Sequence, residues 1–248
     1  MLGLPDGTRA CLFDLDGVLT DTASVHAAAW KQMFDDYLRT RASREGTPFQ
    51  PFDVKADYGP YVDGKPRLAG TDAFLRSRGI VLPAGGPGDA PDTETVYALA
   101  TRKNDLVQEK IRTVGVDVYP GSVRYLHAVK DAGLATAVVS SSANAEQVLE
   151  VAGLTDLIDH RVDGVTAKER NLPGKPAADT FLAAAADLGV DKHEAVVFED
   201  ALAGVESGKA GGFGCVVGVD RLGHADALRA HGADIVVADL AELLENRS

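Results

Sequence analysis

Ala10-Cys11-Leu12-Phe13-Asp14-Leu15-Asp16-Gly17-Val18-Leu19-Thr20 begins with four apolar residues and then turns into a loop that carries two carboxylates. A short apolar run closed by acid and glycine reads as a strand covered on both faces, whose carboxyl end delivers side chains to a ligand. Similar short runs rich in Val, Leu or Ile recur at 134–139, 195–198, 215–219 and 235–237. Between them, helical patterning covers 123–132, 143–151, 177–188, 202–210, 225–230 and 240–244. Strands alternating with helices predict an α/β fold: a Rossmann-like parallel sheet core flanked by helices. This core is assigned to residues 1–20 and 115–248.

Residues 21–114 break that rhythm. Helices are predicted over 22–38, 72–78 and 93–113, with Gly79 ending the second. Between them lie a polar stretch, an aromatic Tyr58-Gly59-Pro60-Tyr61 segment and a Gly/Pro-rich loop at 83–88. No strand of the core type is expected here, so the segment reads as an α-helical cap domain inserted after the first strand.

In an open parallel sheet, ligands bind beyond the carboxyl ends of the strands. There the chain supplies Asp14 and Asp16, then Ser140-Ser141-Ser142, Lys175 before a helix, and Glu199-Asp200. Clustered carboxylates repel and hold their protons unless a cation neutralises them. Mg2+ suits the set: Asp14, Glu199 and Asp200 through their side chains and Asp16 through its carbonyl, with water and a phosphate oxygen completing the octahedron. Asp14 is then the candidate nucleophile, forming an aspartyl-phosphate. Asp16 is the candidate acid/base, protonating the leaving oxygen and later deprotonating the incoming one. Lys175 balances charge, and Ser140 with nearby N–H groups receives the equatorial phosphate oxygens.

Asp14-Leu15-Asp16-Gly17-Val18-Leu19-Thr20, Ser140, Lys175-Pro176 and Glu199-Asp200 resemble the four motifs of the haloacid dehalogenase-like superfamily. Within it, His26, Arg102-Lys103-Asn104-Asp105, Asp117-Val118-Tyr119-Pro120-Gly121 and Glu199-Asp200-Ala201 through Gly204 are similar to the β-phosphoglucomutase branch. The resemblance implies catalytic roles for Asp14 and Asp16, Mg2+ on the carboxylates, and phosphate binding by Ser140, Ser141, Lys175 and Thr20. It further implies substrate contacts from His26, Arg67, Lys103 and Asn104, with Ser142 and Asn144 following the phosphate-binding serine. Ala143 stands where the family commonly has lysine, and the stretch 39–66 is longer than in the compact form of the cap. The implied reaction interconverts β-glucose 1-phosphate and glucose 6-phosphate. Hydrolysis of a sugar phosphate by the same residues, and a non-catalytic sugar-phosphate-binding protein, are the alternatives. The complete acid set argues against the last.

The 248 residues carry 25 Lys+Arg against 37 Asp+Glu, a formal net charge of −12. That surplus argues against a nucleic-acid partner, which would need a basic footprint, but not against a small sugar phosphate. No apolar run approaches a membrane span of ~18 residues, and the first ten residues lack the pattern of a secretory signal. Cys11 and Cys215 lie in separate apolar runs and read as buried thiols in a reducing compartment. The expectation is a cytoplasmic enzyme, monomeric or weakly dimeric, with no membrane partner.

Overall fold

The computed structural model describes residues 2–62, 65 and 67–245. Strands β1 (Ala10–Phe13) and β2 (Thr20–Asp21) lead into helices α1 (Ala23–Glu45), α2 (Val54–Asp57), α3 (Arg67–Ser77) and α4 (Val96–Thr113). The chain continues through β3 (Asp117–Val118), α5 (Pro120–Asp131), β4 (Ala135–Val139), α6 (Ala145–Val151), β5 (His160–Val162), α7 (Gly164–Glu169) and α8 (Asp179–Asp187). It closes with β6 (Ala195–Glu199), α9 (Leu202–Gly211), β7 (Cys215–Val219), α10 (Ala225–His231), β8 (Ile235–Val237) and α11 (Glu242–Glu245). Two compact units result: Met1–Thr22 with Gly115–Ser248, and Ala23–Val114.

In the first unit six strands form a parallel sheet in the order β5-β4-β1-β6-β7-β8. The predicted α/β sheet is therefore present, and β1 is its centre, with all four residues fully buried. The chain runs from β1 through β4 to β5 on one side, then returns to β6 on the other. This reversal is a topological switch point, where the crossovers diverge and leave a crevice at the strands' carboxyl ends. Phe13 is in register with Val138 of β4 and Phe198 of β6, which sets Asp14 level with Val139 and Glu199. Stacking of Phe13 on Phe198, 4.5 Å between ring centroids, fixes the two strands side by side just beneath that row. Cys11 and Cys215 are both free and buried, and burial raises both thiol pKa values, Cys215 to about 11.

β5 was not anticipated. Its sequence, His160-Arg161-Val162, lacks an apolar run because it is the edge strand, with only Val162 buried. The small antiparallel pair β2–β3, joining Thr20 to Val118 and Asp21 to Asp117, was also missed. Two-residue ladders leave no periodicity to read.

The second unit, described by itself, is helical, with no strand among its described residues. Helix α1 runs to Glu45, past the predicted end at 38 and into the polar stretch, and Arg41–Glu45 pairs one turn apart at 2.8 Å along its end. Asp53 caps α2, its carboxylate accepting from the N–H groups of Lys55 and Ala56. Helix α3 begins at Arg67, five residues ahead of the predicted start at 72; Asp63, Gly64 and Pro66 of the preceding stretch lie outside the described residues. Gly79 ends it at φ 70°, where the Ile80 N–H returns to the Leu75 carbonyl at 2.9 Å. Thr95 caps α4 by accepting the Ala98 N–H. The core of this unit is aromatic: Phe34 lies 5.2 Å from Trp30, 5.3 Å from Phe52 and 4.1 Å from Phe74 between ring centroids. Phe34→Ala should therefore cost this unit about 3–5 kcal/mol through lost burial and the cavity left behind. Urea denaturation of the full chain followed by Trp30 fluorescence should show the transition moved to lower denaturant.

Candidate active site

Three side chains and one main-chain carbonyl meet where β1, β4 and β6 end. The Lys175 ammonium donates to Asp14 Oδ1, to the Val139 carbonyl at 2.9 Å, and to Glu199 Oε1 at 2.6 Å. Its side chain is 9% exposed and lies 4.9 Å from the Phe181 ring centre. One lysine thus spans the carboxyl ends of all three central strands. Backbone bonds hold the row: the Asp14 N–H donates to the Phe198 carbonyl, and the Ser140 N–H to the Val162 carbonyl.

Burial alone would lower the lysine pKa; Asp14 and Glu199 outweigh it and raise it, so Lys175 is a fixed cation. Asp14 moves up, first because it is buried; Lys175 opposes the shift, and Glu199, Asp200 and Asp16 reinforce it. Asp200 is pushed up to about 7 by burial and by Glu199. Four carboxylates around one ammonium leave surplus negative charge, and a cation bound there would return these acids to their ionised form.

The donors fit a hard divalent ion. Asp14, Asp16 and Asp200 offer oxygen, which Mg2+ prefers. Gly17, at φ 89°, passes so close to Asp200 that a Cβ would fall 2.0 Å from its Oδ2, so any side chain there would displace the carboxylate. Among the described residues, no three His, Cys, Asp or Glu side chains enclose an ion by themselves. An ion here would take part of its coordination from water, backbone carbonyl or phosphate oxygens, as Mg2+ commonly does. Glu199, the remaining expected ligand, is anchored by two neighbours. Its Oε1 faces Lys175 and its Oε2 accepts the Ala201 N–H at 3.0 Å. Gly204 makes room for it, since a Cβ there would lie 1.8 Å from Oε1.

Asp16 stands two residues beyond Asp14 and is half-buried. The Thr22 hydroxyl donates to its Oδ1, an orienting contact that the sequence reading passed over. Thr20, expected to bind phosphate, requires correction: it is fully buried and its hydroxyl donates to the Leu15 carbonyl at 3.1 Å. Its backbone also closes the catalytic turn, with the Gly17 N–H on the Thr20 carbonyl at 2.7 Å.

Ser140 is buried and its Oγ accepts the Ser142 N–H at 3.1 Å, which leaves its own O–H to donate elsewhere. Ser141 is exposed. Ser142 Oγ accepts the Asn144 N–H at 3.1 Å, so Ser142 and Asn144 shape this turn. Gly164 backs it, for a Cβ there would lie 2.8 Å from the Ser141 carbonyl oxygen.

In the second unit the structure pairs the expected cap residues. Lys103 Nζ of α4 lies 2.8 Å from Nδ1 of His26 in α1 and 4.8 Å from the Trp30 ring centre. An ammonium only donates, so Nδ1 accepts. Burial and the Lys103 charge lower the His26 pKa from 6.5 to about 3. The folded chain therefore resists a proton that the unfolded chain accepts. The stability tied to neutral His26 is complete above pH 6.5 and is lost as pH falls toward 3. His26→Asn should flatten this part of a plot of Tm against pH; an unchanged slope would show that His26 takes up no such proton on unfolding. Arg67 Nη1 donates to Asn104 Oδ1 at 3.3 Å, placing those two together as well.

Residues 8–212 match the family model described as haloacid dehalogenase-like hydrolase. The chain is 58% identical over 247 residues to a β-phosphoglucomutase of Mycobacterium bovis, covering 98% of this chain and 94% of that protein. It is 30% identical to hexitol phosphatase A of Escherichia coli, over 95% of this chain and 93% of that one. A crystal structure of β-phosphoglucomutase from Clostridium difficile superposes with a TM-score of 0.69 at 28% identity, covering 95% of this chain and 93% of that chain.

Proposed function

The chain belongs to the haloacid dehalogenase-like hydrolase family, and from that premise we propose that it interconverts β-glucose 1-phosphate and glucose 6-phosphate through an aspartyl-phosphate on Asp14. The observation that carries the chemistry is the buried Asp14–Lys175–Glu199 row at the switch point. The sugar is supported by the 58% identity to a β-phosphoglucomutase along nearly the whole chain.

Asp14 attacks phosphorus: an Oδ–P bond forms as the bond from phosphorus to the sugar oxygen breaks. Lys175, held on Asp14 Oδ1, fixes the carboxylate and offsets charge on the transferred group. Asp16 gives its proton to the departing sugar oxygen. With Oδ1 accepting from Thr22, the proton sits on the other oxygen. Ser140 donates its O–H to an equatorial phosphate oxygen. In the other half a newly bound glucose 1-phosphate presents its 6-hydroxyl, Asp16 removes that proton, and an O–P bond to the sugar forms as the Oδ–P bond breaks; the glucose bisphosphate then turns round and Asp14 takes its 1-phosphate. Asp14, Asp16 and Asp200 would hold Mg2+, which when bound neutralises charge on the phosphoryl oxygens. Glu199 steadies Lys175.

We assign the inserted unit the grip on the sugar phosphate, with Arg67 and Asn104 as its polar contacts and Lys103, next to Asn104 in sequence, paired with His26. An arginine can hold the non-reacting phosphate of a bisphosphate by two parallel hydrogen bonds. Arg67→Ala should therefore reduce the mutase reaction by roughly 10–100-fold, the worth of one or two charge-assisted hydrogen bonds, and barely change hydrolysis of a small aryl phosphate. Steady-state rates on both substrates decide this; equal losses would remove Arg67 from that role.

The similarity to hexitol phosphatase A favours hydrolysis as the second reading, with water in place of the second sugar hydroxyl. Rapid acid quench with labelled substrate tests what both share: label must be recovered on the peptide carrying Asp14. Turnover with no labelled protein would refute the covalent step.

A further inference from the structure

The carboxyl end of β7 supplies none of the carboxylates, yet the loop that follows it, 220–224, reaches both halves of the cluster. Arg221 Nε donates to the Gly17 carbonyl at 2.8 Å and Nη2 to the Val18 carbonyl at 3.3 Å. Nη2 also donates to Ser122 Oγ at 3.1 Å, and Nη1 to the Ala238 carbonyl at 2.9 Å. The guanidinium carbon lies 3.6 Å from the Tyr119 ring centre, and Tyr119 in turn donates its N–H to the Leu19 carbonyl. On the far side, Asp239 pairs with Nη1 at 3.6 Å. Three residues on, His224 Nε2 lies 3.3 Å from the Asp200 carbonyl oxygen, so that nitrogen carries a proton and donates. Asp220 fixes the loop by accepting the N–H groups of His224 and Ala225.

Arg221 spends its donors on backbone carbonyls, a hydroxyl and Asp239, leaving the carboxylates of the cluster untouched. It therefore acts as a clamp on backbone, using the fixed fork of a guanidinium that lysine cannot reproduce. The clamped turn is Gly17-Val18, directly after Asp16 and packed against the Asp200 carboxylate. The loop thus holds the first and last acidic motifs together by their main chains.

We infer that Arg221 and His224 are positioning residues that lock the Asp16-Gly17-Val18 turn against Asp200 and so set the spacing at which these carboxylates receive their cation. The inference rests on the roles proposed above for Asp14, Asp16 and Asp200.

Calorimetric titration of Mg2+ into substrate-free protein tests it, alongside kcat and KM for β-glucose 1-phosphate. All measurements are made well below each variant's Tm. Arg221→Ala should weaken Mg2+ about 10–100-fold, the usual effect of losing a group that orients metal ligands, and lower kcat about tenfold or more with KM within about twofold. Arg221→Lys, which reaches one carbonyl and keeps the charge, should fall between this variant and the parent. His224→Ala should weaken Mg2+ by a few-fold. Asp239→Asn, on the outer side of the guanidinium, should leave Mg2+ affinity, kcat and KM at parent values. A folded Arg221→Ala with lowered Tm but parental Mg2+ affinity and kcat would overturn the inference. If that variant does not fold, parental Mg2+ affinity in Arg221→Lys does the same. Those results would leave the function itself standing. Full activity in Asp14→Asn would instead refute the function, whatever Arg221 does.

Discussion

Asp14→Asn is expected to abolish turnover, a loss beyond about 10⁴-fold, while the chain stays folded. The amide is neutral and a poor nucleophile, so no Oδ–P bond forms. It also binds a hard cation weakly. Stability should survive because the substitution has two opposing effects. It relieves the repulsion that Glu199, Asp200 and Asp16 exert on the buried Asp14 carboxylate. It also weakens one Lys175 contact, but Lys175 keeps Glu199 at 2.6 Å and the Val139 carbonyl at 2.9 Å. A coupled assay for glucose 6-phosphate, with a thermal melt on the same sample, measures both. Activity within tenfold of the parent would rule out Asp14 as the nucleophile.

Asp16→Asn is expected to slow transfer to and from sugar by about 10²–10⁴-fold, the usual worth of general acid–base catalysis. Asn has the same shape, and its Oδ1 can still accept from the Thr22 hydroxyl, so the loop should hold its position. The loss should depend on the leaving group. A sugar hydroxyl needs a proton as it departs, whereas a nitrophenolate leaves well without one. Phosphorylation of the enzyme by p-nitrophenyl phosphate, followed as a nitrophenolate burst, should therefore be much less affected than phosphorylation by the glucose bisphosphate. Equal losses on both would show that Asp16 does not serve as the acid.

These two residues were legible because strand β1 is apolar throughout and stops abruptly at Asp14, so the chemistry begins where the hydrophobic pattern ends. The same contrast exposed Ser140 after β4 and Glu199-Asp200 at the end of β6. Register, however, is a long-range property. Only pairing of β1 with both β4 and β6 sets Asp14, Val139 and Glu199 in one row and lets Lys175 bridge them. Thr20 misled for a related reason. A threonine in a catalytic loop offers the same hydroxyl whether it faces ligand or main chain, and only the fold turns it to the Leu15 carbonyl. Arg221 carried no signal at all, because its partners are carbonyls 17 to 204 residues away in the chain. The edge strand β5 escaped for want of an apolar run, and the π-helical turn Tyr58–Val62 for want of any periodicity that distinguishes it from a loop.

The central claim is that Asp14 passes the phosphoryl group back to sugar in preference to water. A mutase must keep its phosphorylated aspartate from water until the next glucose 1-phosphate binds, and must retain the bisphosphate while it turns round, which requires an acid/base in place when sugar is bound. Phosphorus NMR of the full chain with Mg2+, β-glucose 1-phosphate and a trace of the glucose bisphosphate follows all products in one sample. Glucose 6-phosphate should accumulate well ahead of free phosphate, and leaving out the bisphosphate should introduce a lag. Free phosphate as the dominant product from this and every other sugar phosphate tried would contradict the assignment and make the protein a phosphatase.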